Sequence, residues 1–223
     1  MAKVGFNNGV LTATQVTVDP QAAADAVVQY NESTVAKWRH GNDETNDSWR
    51  LSQGSALGTN DTLIADTSGQ LSFPRQLAFD YYNNSSNANA TGDGTTFTLI
   101  YPQIANGGAQ QGSGWDGTST FTATSTGYYQ FNMAVRITGL AAQTSAYTTF
   151  THTAIQTYYG PTLNPTSVFV TAFSSGMTLA QSVMMRMVAG DTVTTEITVA
   201  GSTKTVTVDG TQADTYINGA KIC

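Results

Sequence analysis

From Thr120 to Ile137 the chain reads TFTATSTGYYQFNMAVRI, and its second half alternates strictly. Tyr129, Phe131, Met133, Val135 and Ile137 fall on one side. Gln130, Asn132, Ala134 and Arg136 fall on the other. A two-residue repeat over this length predicts a β-strand with one face in a core and one face wetter. Its aromatic and β-branched residues suit the centre of a sheet. Gly127 precedes the run, and a short strand from Phe121 to Ala123 precedes that glycine.

Similar runs recur on both sides. LAFDYY (77–82), TFTLIY (96–101), Tyr147 to Tyr158, Ser167 to Phe173, Met177 to Met187, TVTTEITVAG (192–201), KTVTVDG (204–210) and TYINGAKI (215–222) read as strands. Turn signals separate them: the polar loop NNSSNANATGDG with the hairpin dipeptide Asp93-Gly94, the loop NGGAQQGSGWDG, and Ala189-Gly190-Asp191. Short strands between regular turns, with little helix, predict a sandwich or jelly roll over residues 76–223.

The front of the chain is sparser. VLTATQVTV (10–18) alternates weakly. After Asp19-Pro20, QAAADAVVQY (21–30) has helical propensity, with Asp19 placed as N-cap and Pro20 in the first turn. Residues 1–30 read as an attachment segment. Residues 31–75 read as short strands, VAKWRH, SWRLS, DTLIAD and QLSFP, split by polar turns. Their apolar side chains are few, and Trp38, Trp49, Leu51, Leu63 and Phe73 are the candidate core. One copy of this segment cannot bury enough surface to offset its ordering entropy. The expectation is a short β stalk in which several copies share one interior.

Composition narrows the partners. Charged residues are 11% of the 223, and the net charge is −6. Nucleic acid needs clustered Lys and Arg, and the few basic residues here are scattered. The first residues hold no long apolar run, so neither a signal peptide nor a membrane span is expected. Without a secretion signal, the sequons at Asn31, Asn46, Asn60, Asn83, Asn84 and Asn89 read as a by-product of Asn and Thr richness. The single cysteine, Cys223, excludes an internal disulfide.

Three pieces resemble a known family in their order along the chain. FTATSTGYYQF (121–131) fits F-x-A-x-x-x-G-x-Y-x-F, VAGDTV (188–193) fits the turn before a penultimate strand, and TYINGAKI fits a closing aromatic-x-x-G strand. Together they resemble the complement-type globular head, the tumour-necrosis-factor-like jelly roll. The loop ending TGDGT and the segment WRHGNDETNDSWRLSQGSALGTNDTLIADTSGQLSFP resemble bacteriophage fibre proteins that carry such heads. The resemblance implies an all-β homotrimer, a C-terminal jelly-roll sandwich on a short intertwined β stalk. It also implies a virion structural protein assembled in the host cytoplasm. Its N-terminal segment would meet other virion proteins, and its head would bind a host-surface glycan or protein. A capsid decoration protein with a purely structural role is the alternative. The usual closing aromatic is often Phe; here it is Tyr216.

Catalytic chemistry finds little support, and no enzyme activity or cofactor is expected. There is no G-x-S-x-G elbow, NGGAQQGSG lacks the Lys and helix of a phosphate cradle, and the carboxylates concentrate in turns. His40 and His152 lie far apart in sequence and read as satisfied polar residues rather than metal ligands. Asn42, Asp43, Glu44, Asn46 and Asp47 lack the Gly and terminal Glu of a calcium loop and read as a solvated turn. Tyr81, Tyr82, Trp115, Tyr147, Tyr158 and Tyr159 are placed at strand ends or in loops. Tyr and Trp there suit contact with a carbohydrate or protein receptor.

Overall fold

The computed structural model describes residues 24–105, 110–112, 114–154, 157–160 and 176–222; of Thr157 and Tyr159 it describes the backbone only. The chain divides into two compact units, Met1–Arg75 and Gln76–Cys223. The expected strands at 10–18 and 167–173, the Asp19-Pro20 cap and Cys223 lie outside the described residues.

In the first unit, β1 (Ala26–Glu32), β2 (Val35–Asp43), β3 (Ser48–Gln53), β4 (Asp61–Ala65) and β5 (Leu71–Ser72) form an antiparallel sheet in chain order. Each strand therefore pairs with its sequence neighbours. The helix expected over 21–30 is corrected: Ala26–Glu32 is a strand, paired with β2 from Ala26↔Asn42 to Glu32↔Val35. Val27, Val28 and Tyr30 favour a strand, and a full ladder to β2 outweighs the alanine propensity of a helix too short to stand alone. The sheet thus takes in residues 26–30, which the sequence reading gave to the attachment segment.

The second unit is a two-layer sandwich. Its strands are β6 (Ala78–Tyr82), β7 (Asn87–Thr91), β8 (Thr96–Thr98), β9 (Gln103–Ile104), β10 (Thr120–Thr122), β11 (Gly127–Thr138), β12 (Ser145–His152), β13 (Thr157–Tyr159), β14 (Met177–Met187), β15 (Thr192–Ala200), β16 (Val206–Val208) and β17 (Tyr216–Lys221). One sheet runs β7-β16-β11-β17-β6-β9, with β14 also paired to β11. The other runs β10-β15-β12-β13, with β8 paired to β15. From β10 onward the chain crosses between sheets at β10 to β11, β11 to β12, β13 to β14, β14 to β15 and β15 to β16. That antiparallel winding is a jelly roll.

The alternating run sits where its pattern places it. β11 is central, and Tyr129, Phe131, Met133, Val135 and Ile137 are all buried. They meet Ala146 and Phe150 of β12 and Val193, Ile197 and Val199 of β15 in one core. The run read as one strand from Tyr147 to Tyr158 is two, β12 and β13, paired to each other. The polar loop 83–94 contains β7, whose Thr91 Oγ1 accepts from Val199 N at 3.0 Å and so ties the two layers together.

Gly219 of the closing strand lies opposite both Phe131 and Phe79. A Cβ there would stand 2.7 Å from Phe79 Cζ and 3.0 Å from Gln130 O. The glycine of the aromatic-x-x-G motif therefore makes room for the Phe79 ring, which stacks on Phe121 and Trp115 with centroids 5.3 and 5.6 Å apart.

Candidate functional site

Among the described residues of the first unit, the aromatic side chains gather on one face of the sheet and stand partly exposed. Directly paired residues share a face, so Tyr30 with Trp38, His40 with Leu51, and Leu51 with Leu63 all point the same way. Trp49 lies two residues from Leu51 and joins them. Trp38 is 39% exposed, Trp49 40%, Phe73 51% and Tyr30 54%. His40 sits between two rings, with centroids 5.7 Å from Tyr30 and 5.8 Å from Trp49, and its Nε2 is 3.2 Å from the Tyr30 hydroxyl.

The opposite face holds the buried polar groups, beside the half-buried Ile64 paired with Arg50. Arg50 Nε is 2.9 Å from Asp43 Oδ2, and its Nη1 binds Asp61. Asp61 also accepts from Ser52 Oγ and, at 3.0 Å, from Gly58 N. Burial pushes the Asp61 carboxyl up, but Ser52, Gly58 and Arg50 together outweigh it and hold the group below its ordinary value. Asp43 is buried and accepts from Thr45 N at 3.1 Å, so this member of the acidic turn is not solvated as expected.

The expected receptor aromatics divide. Tyr81 and Trp115 are corrected, since both are buried in the sandwich. Tyr81 shares the inward parity of Phe79 on β6. Trp115 is drawn from its loop by a bridge to Phe121 and packs beside Phe79, Tyr81 and Tyr101. Tyr158 packs half-buried against the core. Tyr82 and Tyr147 are half-buried at the surface. The Tyr159 side chain lies outside the described residues.

The sheet containing β11 has an outer face that no second layer among the described residues of this unit covers. A polar row crosses four strands there: Ser182, Asn132, Asn218 and Asp80 lie directly opposite one another in succession. Ser182 Oγ donates to Asn132 Oδ1 at 2.7 Å, and Asn132 Nδ2 donates to Asn218 Oδ1 at 2.9 Å. Among the described residues Asp80 has no hydrogen bond or ion pair, and burial holds its carboxyl above the usual range. A recess of about 250 Å³ lined by Asp80, Ala105, Gln212, Tyr216 and Asn218 opens beside it. Another, of about 470 Å³, is lined by Ala78, Phe79, Asp80, Gln110 and Gln111. Sequence reading placed Asn132 outward but singled out neither Asp80 nor Asn218. Their signal was the alternation within LAFDYY and TYINGAKI.

His152 is buried in its own chain. Its Nδ1 accepts from Ala154 N at 3.2 Å, and its Nε2 is 3.3 Å from Asp191 Oδ2, an ion-pair distance without hydrogen-bond geometry.

No family model and no curated protein matches the chain. Among solved structures it is similar to murine APRIL (10% identity, 66% of this chain and 99% of that one, TM-score 0.45). It is also similar to the Eiger TNF from S. frugiperda (9%, 67% and 94%, TM-score 0.47). A third is the globular domain of the zebrafish complement 1qA protein (18%, 66% and 98%, TM-score 0.40). The strand order of the two sheets is itself that of a jelly roll.

Proposed function

We propose that this chain is a structural fibre protein of a bacteriophage virion, a homotrimer whose head meets the host cell surface. The carrying observation is the uncovered face of the first unit. A sheet that buries Arg50 and leaves Trp38, Trp49 and Phe73 in water is complete when other copies cover it. The order of the fibre-like segment and head-like motifs along the sequence supports the virion setting. Assembly would take place in the host cytoplasm, with residues ahead of Ala26 joining other virion proteins. A particle reconstruction tests this: density for three copies projecting from the tail supports the reading, and absence from the particle sinks it.

A second reading is a capsid decoration fibre with a structural role alone. The burial of Tyr81 and Trp115 favours it, because it removes two of the aromatics offered to a receptor. Trimers on the capsid shell, with no binding of the purified protein to host cells, would select this reading.

A further inference from the structure

The second sheet of the head presents hydroxyls on its outer side. Phe121, Phe150, Val193 and Ile197 face the core, so the residues that alternate with them face out. Two rows cross the strands there. Thr120, Thr194 and Thr151 lie opposite one another in succession, and so do Thr98, Glu196 and Thr149. Glu196 is the only Asp, Glu, Lys or Arg in β8, β10, β12 and β15. One carboxylate thus stands half-buried among neutral hydroxyls.

Its hydrogen bonds set what can meet it. Thr151 Oγ1 donates to Glu196 Oε2 at 3.1 Å, and Thr149 Oγ1 donates to the same oxygen at 3.3 Å. Each threonine has then given its one proton and keeps only lone pairs. Glu196 Oε1 accepts nothing among the described residues, and a carboxylate has no proton of its own to offer. Thr98 lies across the ladder from Glu196, and Thr194 lies two residues before it. Neither hydroxyl has a hydrogen bond among the described residues. The patch therefore offers acceptors at its centre and hydroxyls of either sense at its rim. Its complement is a ligand with many O–H donors.

Charge narrows the class. An anionic polymer would meet Glu196 with no cation on these strands to offset the repulsion. A cationic one would gain from a single surface carboxylate only the small return of an exposed ion pair. A neutral sugar chain meets neither limit. One hydroxyl donates to Glu196 Oε1 in a charge-assisted bond, and others pair with Thr98 and Thr194. Tyr147, half-buried two residues from Thr149 on the same side, supplies apolar ring surface beside the patch. We propose that this outer patch binds a neutral glycan through Glu196, Thr98 and Thr194. This rests on the host-surface reading above and names the face of the head and the class of ligand.

The test is calorimetric titration of the full-length protein with a neutral glucan, mannan and galactan, and with the anionic polymer polygalacturonate. Binding of at least one neutral polymer is expected, with none of polygalacturonate. Added sodium chloride should leave it unchanged, because no ion pair forms. Glu196→Gln is expected to weaken binding roughly tenfold or more. Its amide oxygen still takes the two threonine protons, but an amide donor replaces the free acceptor. Thr194→Val, of similar shape, removes one rim hydroxyl and is expected to weaken binding while the melting temperature holds. Binding to none of the neutral polymers, binding that salt abolishes, or binding that ignores both substitutions overturns the site. A trimer seen on the tail that fails this titration loses the glycan site and keeps its place on the virion. A chain absent from the particle that still binds through Glu196 keeps the site and loses the virion reading.

Discussion

Trp49 and Arg50 are adjacent in sequence and stand on opposite faces of β3, the tryptophan 40% exposed and the arginine side chain 12% exposed. A self-sufficient sheet would invert that order, because a buried guanidinium must be paired while exposed indole surface is hydrated at a cost. Arg50 is paired with Asp43 and Asp61 within its own chain, so its buried charge is met there. The aromatic face, with Tyr30, Trp38 and Trp49, stays partly exposed among the described residues.

Replacing Trp49 by Ser therefore weakens self-association more than it weakens the fold. A tryptophan buries roughly 150–250 Å² in all. Covering the share exposed here removes on the order of 80–100 Å², worth about 2 kcal/mol per copy. Light scattering across a dilution series should show the Trp49→Ser protein dissociating at concentrations more than tenfold higher. The circular dichroism of the dissociated protein should keep its β signature.

Acid acts on the opposite face. The Asp61 carboxyl, held below its ordinary value, binds its proton more weakly when folded than when unfolded. Its contribution is complete above about pH 4 and is lost as pH falls further. Asp61→Asn should cost about 1–3 kcal/mol at pH 6, since it strips a charged partner from Arg50. Melting curves of wild type and variant should converge between pH 6 and pH 3. A gap that stays constant would contradict this account of Asp61.

In the head, Gly219→Ala should lower the melting temperature. The added methyl meets the Phe79 ring at 2.7 Å, and that ring is held by Phe121 and Trp115. Overpacking of this kind costs about 1–3 kcal/mol, or roughly 2–4 °C per kcal/mol for a unit of about 150 residues. Differential scanning calorimetry reads the shift directly.

Trp115→Ala should behave as a core deletion and not as a loss of binding surface. The ring packs beside Phe79, Tyr81 and Tyr101, and its removal should cost about 3–5 kcal/mol. Tyr82→Ala, on the outer face of the β6 sheet, should cost far less. Equal stabilities for the two variants would show that Trp115 is not core.

The legible parts of the sequence were those where one physical signal ruled. The alternation from Tyr129 to Ile137 placed β11 and its buried side, and Gly219 declared itself by its spacing from Tyr216. Where two signals competed, the reading failed. The alanines of 22–24 and 26 suggested a helix, while pairing of Val27, Val28 and Tyr30 with β2 decided for a strand. Tyr81 was misread because its strand end was weighed above its parity with Phe79. Trp115 gave no warning, since its burial comes from a bridge to Phe121 that no local pattern encodes. The row from Ser182 to Asp80 joins strands distant in sequence, so only the register revealed it.

Sedimentation velocity on the full-length protein at micromolar concentration bears most directly on the shared aromatic interior. A single species of three chains is the expected result. A single species of one chain, with Trp38 and Trp49 still open to solvent, would contradict it.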